Sequence, residues 1–145
     1  MREIKFRAWD NLHKYMSNVT MLDFASWNVS YEREGKIYFN GDRNSFRNED
    51  TDRCDIMQCT GLKDKNGKEI YEGDIVGVKL MDNVESKGYY ICKTKVVFHQ
   101  GCWILFQIGF DYSKTKLFEM SFLYDQNDQI EIIGNIHENP ELIKE

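Results

Sequence analysis

The most constraining feature of this chain is a run of short strand-like segments separated by glycine-marked reversals. Apolar residues repeat at every second position over stretches of five to ten residues, which is the period of a strand with two different faces. Ile4, Phe6 and Ala8 alternate with Lys5 and Arg7, predicting a first strand with one wet face. Trp27, Val29 and Tyr31, then Ile37, Tyr38 and Phe39, flank a Gly35-bearing turn and predict a hairpin over residues 27–39. In the middle of the chain, Asn66-Gly67 and Gly73-Asp74 mark tight turns, and Asn-Gly is a strong short-range turn signal because both residues tolerate positive φ. Strands are predicted over 56–60, 75–80, 89–98, 102–110 and 130–134. Spacing of about ten residues between strand and turn points to a barrel or a sandwich.

The expected class is therefore mostly β (β-rich α+β). An N-terminal meander and polar loop occupy residues 1–55, and a barrel-like region follows over 56–145, the two forming one compact unit. Residues 40–55 are crowded with Asn, Asp, Arg and Ser and read as a long exposed loop or a hinge between an N-terminal and a C-terminal half. Residues 81–88 and 125–129 read as polar turns, and 117–124 fit neither the helical nor the strand period. Asn139-Pro140-Glu141 carries the chemistry of a helix start, with Asn as cap, Pro at the first position and an acid in the first turn. A short C-terminal helix is expected from there.

At 145 residues, 41% of them apolar, the chain is long enough to bury a core without covalent staples. No apolar run suits a signal peptide or a membrane span, so a cytoplasmic protein with no membrane partner is expected. Cys54, Cys59, Cys92 and Cys102 do not fall into two close pairs, which argues against a zinc site and for reduced thiols. Charge is uneven: residues 1–118 carry 18 basic and 17 acidic side chains, while 119–145 carry seven acids and only Lys144. A nucleic-acid binder ordinarily shows a basic stripe, and the near-neutral body weighs against that role.

Several runs resemble the YopX family of bacteriophage and prophage proteins. They are Ile4-Lys5-Phe6-Arg7-Ala8-Trp9-Asp10, the stretch from Thr60 through Val76, and Ile133-Gly134-Asn135-Ile136-His137-Glu138-Asn139-Pro140-Glu141-Leu142. The resemblance implies a phage origin, a bacterial cytoplasm, and a β-rich fold whose C-terminal part is similar to a small SH3-like barrel. It implies no activity, so no catalytic residue is carried over. The residues themselves give those motifs a structural role: Gly61, Gly67, Gly73 and Gly134 at tight turns, Asp74 bonding nearby amides, Asn139-Pro140 at a helix start.

Few constellations invite chemistry. His13, His99 and His137 lack the spacings of a metal site, although convergence with Asp10 or Asp74 would make one. Cys102 lies three residues from His99, the separation of a conceivable thiol–imidazole pair, but a strand cysteine is more often a small buried hydrophobe. Phe6, Trp9, Tyr15, Trp27, Tyr31, Tyr38 and Phe39, near Arg2, Lys5, Arg7 and Arg33, would make a base-stacking face if exposed; strand aromatics are more often core. No Walker loop, GxGxxG or GxSxG occurs, so no catalytic, cofactor or metal residue is assigned and no cofactor is expected. The leading expectation is a non-enzymatic phage accessory protein that binds a host or phage protein, or forms a homo-oligomer. A nucleic-acid-binding small barrel is the alternative, and an enzyme with an unrecognised site ranks third.

Overall fold

The computed structural model describes residues 3–23, 28–34, 36–40, 54–81, 89–109, 118–119 and 130–144. They form eleven strands: β1 (Phe6–Asp10), β2 (Tyr15–Asp23), β3 (Asn28–Arg33), β4 (Lys36–Asn40), β5 (Cys54–Lys63), β6 (Glu69–Tyr71), β7 (Asp74–Met81), β8 (Tyr89–His99), β9 (Cys102–Gln107), β10 (Phe118–Glu119) and β11 (Ile130–Asn135). The chain divides into two compact units, residues 1–59 and 60–145. The mostly β expectation therefore holds. Among the described residues no helix is long and apolar enough to cross a membrane.

In the first unit the strands lie in the order β4-β3-β2-β1-β5, each antiparallel to its neighbour. The predicted first strand and the 27–39 hairpin both form. Tyr15–Met16 and Val19 onward merge into a single strand, β2, which carries an irregularity between Val19 and Met21. The single wet face expected of β1 is overturned. Arg7 is only 9% exposed and Trp9 is buried alongside Ala8, whereas Ile4, assigned to the apolar side, is 68% exposed. β1 lies between β2 and β5 in the interior of its sheet, a position that local alternation does not register.

In the second unit the order is β10-β9-β8-β7-β11, and β6 pairs with the second half of β5. Ile70, Val76, Val78, Val96, Leu105 and Ile130 form its core, with Leu62, Trp103 and Ile132 packed against them. Val76, Val78 and Val96 follow period two, and register places them on one face: Val76 opposite Thr94, Val78 opposite Cys92, Val96 opposite Leu105. Each such side chain is worth roughly 1.5–3 kcal/mol on full burial. The expected SH3-like barrel is not closed. Among the described residues β10 pairs with β9 alone and β11 with β7 alone, so the sheet's two ends stay apart.

Turn chemistry explains most reversals, with one exchange of roles. At Asn66-Gly67 only Gly67 takes positive φ, at +80°. The pair with positive φ at both central residues is Gln100-Gly101, the type I′ geometry that matches the twist of β8 and β9. The predicted C-terminal helix shrinks to a single 3-10 turn, Pro140–Ile143. Asn139 makes no side-chain cap bond to it. Instead its Oδ1 accepts from the backbone N–H of Asn135, 3.3 Å away. The loop expected over 40–55 is trimmed at both ends, since Asn40 closes β4 and Cys54 and Asp55 open β5, and Met81, expected in the 81–88 loop, closes β7. Residues 41–53, 82–88 and 125–129, most of the ambiguous 117–124 segment, and Arg2, Trp27 and Gly35 lie outside the described residues.

Gly134 marks the closest approach. A Cβ there would sit 2.5 Å from Asn139 Oδ1 and 2.8 Å from Leu142 Cδ1. Gly67, by contrast, has open space around it and needs glycine only for its backbone angle. Gly134→Ala should lower stability by about 1–3 kcal/mol through overpacking, and Gly67→Ala by about 1–2 kcal/mol through left-handed strain alone. Urea titration of both variants checks this. The Gly134→Ala loss should shrink when Asn139→Ala is added, and the Gly67→Ala loss should not.

Candidate functional site

Two polar clusters stand out, one in each unit, and both are built around a buried aspartate. In the first unit β1 ends at Asp10, which is 3% exposed. The chain then turns through Asn11–Lys14, and the Lys14 amide donates to the Asp10 carbonyl at 2.8 Å. The carboxylate organises this turn: Oδ1 accepts from the amides of Leu12 and His13, each at 2.9 Å. Oδ2 accepts from the Tyr31 hydroxyl at 2.6 Å and lies 2.8 Å from His13 Nδ1.

Burial of Asp10 would by itself raise its pKa. The hydrogen bonds from Tyr31, from His13 and from Leu12 outweigh it and hold the carboxyl at about 2. The carboxylate is therefore ionised, accepts only, and makes the imidazole nitrogen the donor. His13 is left with one nitrogen engaged and the rest of its ring in solvent. A carboxylate-oriented imidazole is two-thirds of a nucleophilic triad, but a nucleophile must reach the imidazole. Among the described residues the hydrogen bonds of His13 run to Asp10, and none joins its ring to a serine, threonine or cysteine.

In the second unit Asp64 plays the corresponding part. Its Oδ1 accepts from the amides of Asn66 and Lys68, both at 2.9 Å, and its Oδ2 from the amide of Ile132 at 3.2 Å. Burial pushes its pKa up, and these bonds from Lys68, Ile132 and Asn66 more than reverse that, leaving it lowered. A third group of bonds gathers on the last motif. Asn135 Oδ1 accepts from the amides of His137 and Glu138, and its Nδ2 donates to the Glu138 carboxylate. The Ile136 amide donates to the Gly73 carbonyl, and Asp74 Oδ2 accepts from the Tyr71 amide. The memorable motif residues thus bond to the chain's own backbone.

The other sequence candidates are dispersed. Residues 5–144 match the family model described as YopX protein. The chain belongs to the YopX family. It is also similar to a crystallised protein of Enterococcus faecalis, EF1440, at 32% identity over 99% of this chain and 100% of that one, with a TM-score of 0.60. No curated protein matches. The three stretches on which the sequence resemblance rests correspond to the strand ending in Asp10, the Asp64 turn with β6 and β7, and the Asn135 network.

His99 is exposed at the end of β8, and the Cys102 thiol donates to its backbone carbonyl at 3.2 Å, not to its ring. His137 is engaged through its amide with Asn135. Among the described residues no group of three His, Cys, Asp or Glu converges as metal ligands would. All four cysteines are free thiols, and burial pushes that of Cys92 up. Of the proposed stacking aromatics, Trp9 and Tyr31 are buried, while Tyr15 is exposed. The sequence missed two pairings: Tyr31 with Asp10, and Asp64 with Ile132. An Asp-x-Asn-Gly run announces the local half of the Asp64 cluster, but nothing local announces a partner 68 residues away.

Two outcomes follow. Asp10 ionises at about 2 when folded against an ordinary value of 3.8, so its stabilisation is whole above that ordinary value and disappears as pH falls toward 2. Asp10→Asn should be less stable than wild type by about 1–3 kcal/mol near neutrality, with the gap closing across that acid window in chemical denaturation. Asp64→Ala leaves three amides without their acceptor. Hydrogen exchange should accelerate by at least about tenfold at Asn66, Lys68 and Ile132, as expected for loss of roughly 1.5 kcal/mol or more of local protection.

Proposed function

We propose that this chain is a phage or prophage accessory protein acting in the bacterial cytoplasm by binding another protein, not by catalysis. The observation that carries this reading is how the polar motif residues are used. Asp10, Asp64, Asp74 and Asn135 each accept from backbone amides of the same chain, and Asp10 also meets the side chains of Tyr31 and His13, so the residues on which the family resemblance rests serve the fold. What a solvent molecule or partner meets instead is a set of strand faces bearing open apolar side chains, among them Met21, Ile56, Ile91, Phe98 and Ile133. Exposed apolar side chains rimmed by charge are the ordinary raw material of a protein-binding surface. Burial of Trp9 and Tyr31 removes two of the aromatics on which a base-stacking face would depend.

The test is reconstitution. Proteins captured by the tagged chain from lysate of an induced lysogen are purified singly and titrated against it by calorimetry. A saturable complex of fixed stoichiometry, with a negative heat-capacity change, is the expected result. Turnover of a substrate that is lost in His13→Ala, with no purified protein binding, would replace this reading by an enzymatic one.

A further inference from the structure

One face of the sheet in the second unit combines exposed isoleucines with a row of lysines. Register sets Gly77 of β7 between Lys93 of β8 and Glu131 of β11. A Cβ at position 77 would lie 3.0 Å from Ile91 Cγ2 and 3.7 Å from Ile133 Cγ2. Both isoleucines therefore lean over the bare backbone of Gly77, one from β8 and one from the bulge of β11. Both stay open to solvent, Ile91 at 70% exposure and Ile133 at 39%.

The charge around this ridge is one-sided. Lys79 stands opposite Ile91, Lys93 opposite Gly77 and Lys95 opposite Ile75, so strand alternation puts all three on the isoleucine face. Glu131 shares that face, but its carboxylate is matched by Lys65 at 2.7 Å. Lys93 and Lys95 enter no ion pair among the described residues. The ridge is apolar at its centre and cationic along its flank.

We infer that this face of β7, β8 and β11 docks a protein segment that carries carboxylates beside apolar side chains. The inference rests on the protein-binding reading above and names its surface and its partner's chemistry. Charge complementarity selects the occupant. A second copy presenting the same face would set lysine against lysine. A nucleic acid would satisfy the lysines but leave Ile91 and Ile133 without a partner, because aliphatic side chains offer no stacking surface to a base. An acidic, apolar segment satisfies both at once.

The probe is a synthetic peptide of alternating Asp and Leu, titrated into the isotope-labelled full chain and followed by amide chemical shifts. Shifts centred on Gly77, Ile91, Lys93 and Ile133 are expected. Apparent affinity should fall several-fold as salt rises from roughly 0.05 to 0.5 M, and at least about tenfold in Lys79→Glu/Lys93→Glu and in Ile91→Ser. These positions are exposed, and an unchanged amide spectrum elsewhere confirms that each variant folds. Any of four results overturns the inference: no shifts on this face at millimolar peptide; equal binding of the Asn-Leu counterpart; tighter binding of oligothymidylate to the same amides; or broadening of those amides with protein concentration alone. If a purified partner binds the Lys79→Glu/Lys93→Glu variant as tightly as wild type, this face is wrong while the protein-binding reading stands. If no purified partner binds either protein, that reading fails on its own, and the peptide shifts report on the face independently.

Discussion

The second unit depends on one carboxylate. Asp64 closes the turn between β5 and β6 by accepting from the amides of Asn66 and Lys68, and with its other oxygen it holds the amide of Ile132 in β11. The neighbouring Lys65 amide donates to the carbonyl of Ile130, so the turn grips the last strand at two points. A buried ionised group is costly unless its lone pairs are satisfied. Here three amides supply that satisfaction, and each would itself be stranded without the carboxylate. Placement of β11 beside β7, and burial of Ile130 in the core, go with this arrangement.

The first unit solves a similar problem with a different partner set. Asp10 also spends one oxygen on a turn, but its other oxygen meets two side chains, Tyr31 and His13. Such a charged network inside a sheet fixes geometry, because a shift of β3 by one residue would move Tyr31 to the opposite face and strand the carboxylate. In both units the acids that look like chemistry in the sequence act as acceptors for turns. This use of the acids is why the polar motifs describe the fold.

Openness of the sheets bears on function in the same way. Strand faces buried on one side by Val76, Val78, Val96 and Leu105 leave the reverse side to Lys79, Ile91 and Lys93. A closed barrel would hide one face of every strand in its interior. A sheet whose ends do not meet keeps a surface of regular side-chain spacing, on which Ile91 stands opposite Lys79 and next to Lys93 along β8. That regularity suits a partner with its own extended, alternating chain.

Period two in β7 and β8, the turns at Gly67 and Gly73, and the family motifs were all legible in the residues, because each depends on neighbours within about five positions. The same locality explains what misled. Arg7 looks like a wet residue and is buried, since exposure is set by the assembled sheet and not by the residues beside it in the chain. Asn139-Pro140 looks like a helix cap, yet Asn139 turns back to Asn135 and only a 3-10 turn follows. By itself the sequence determined that this chain makes strands and where they reverse, because backbone preference and alternation are local. Only the tertiary structure decided which acids meet which amides, and which face of each strand stays open. Those outcomes depend on register between segments far apart in the chain, and no short stretch encodes register alone.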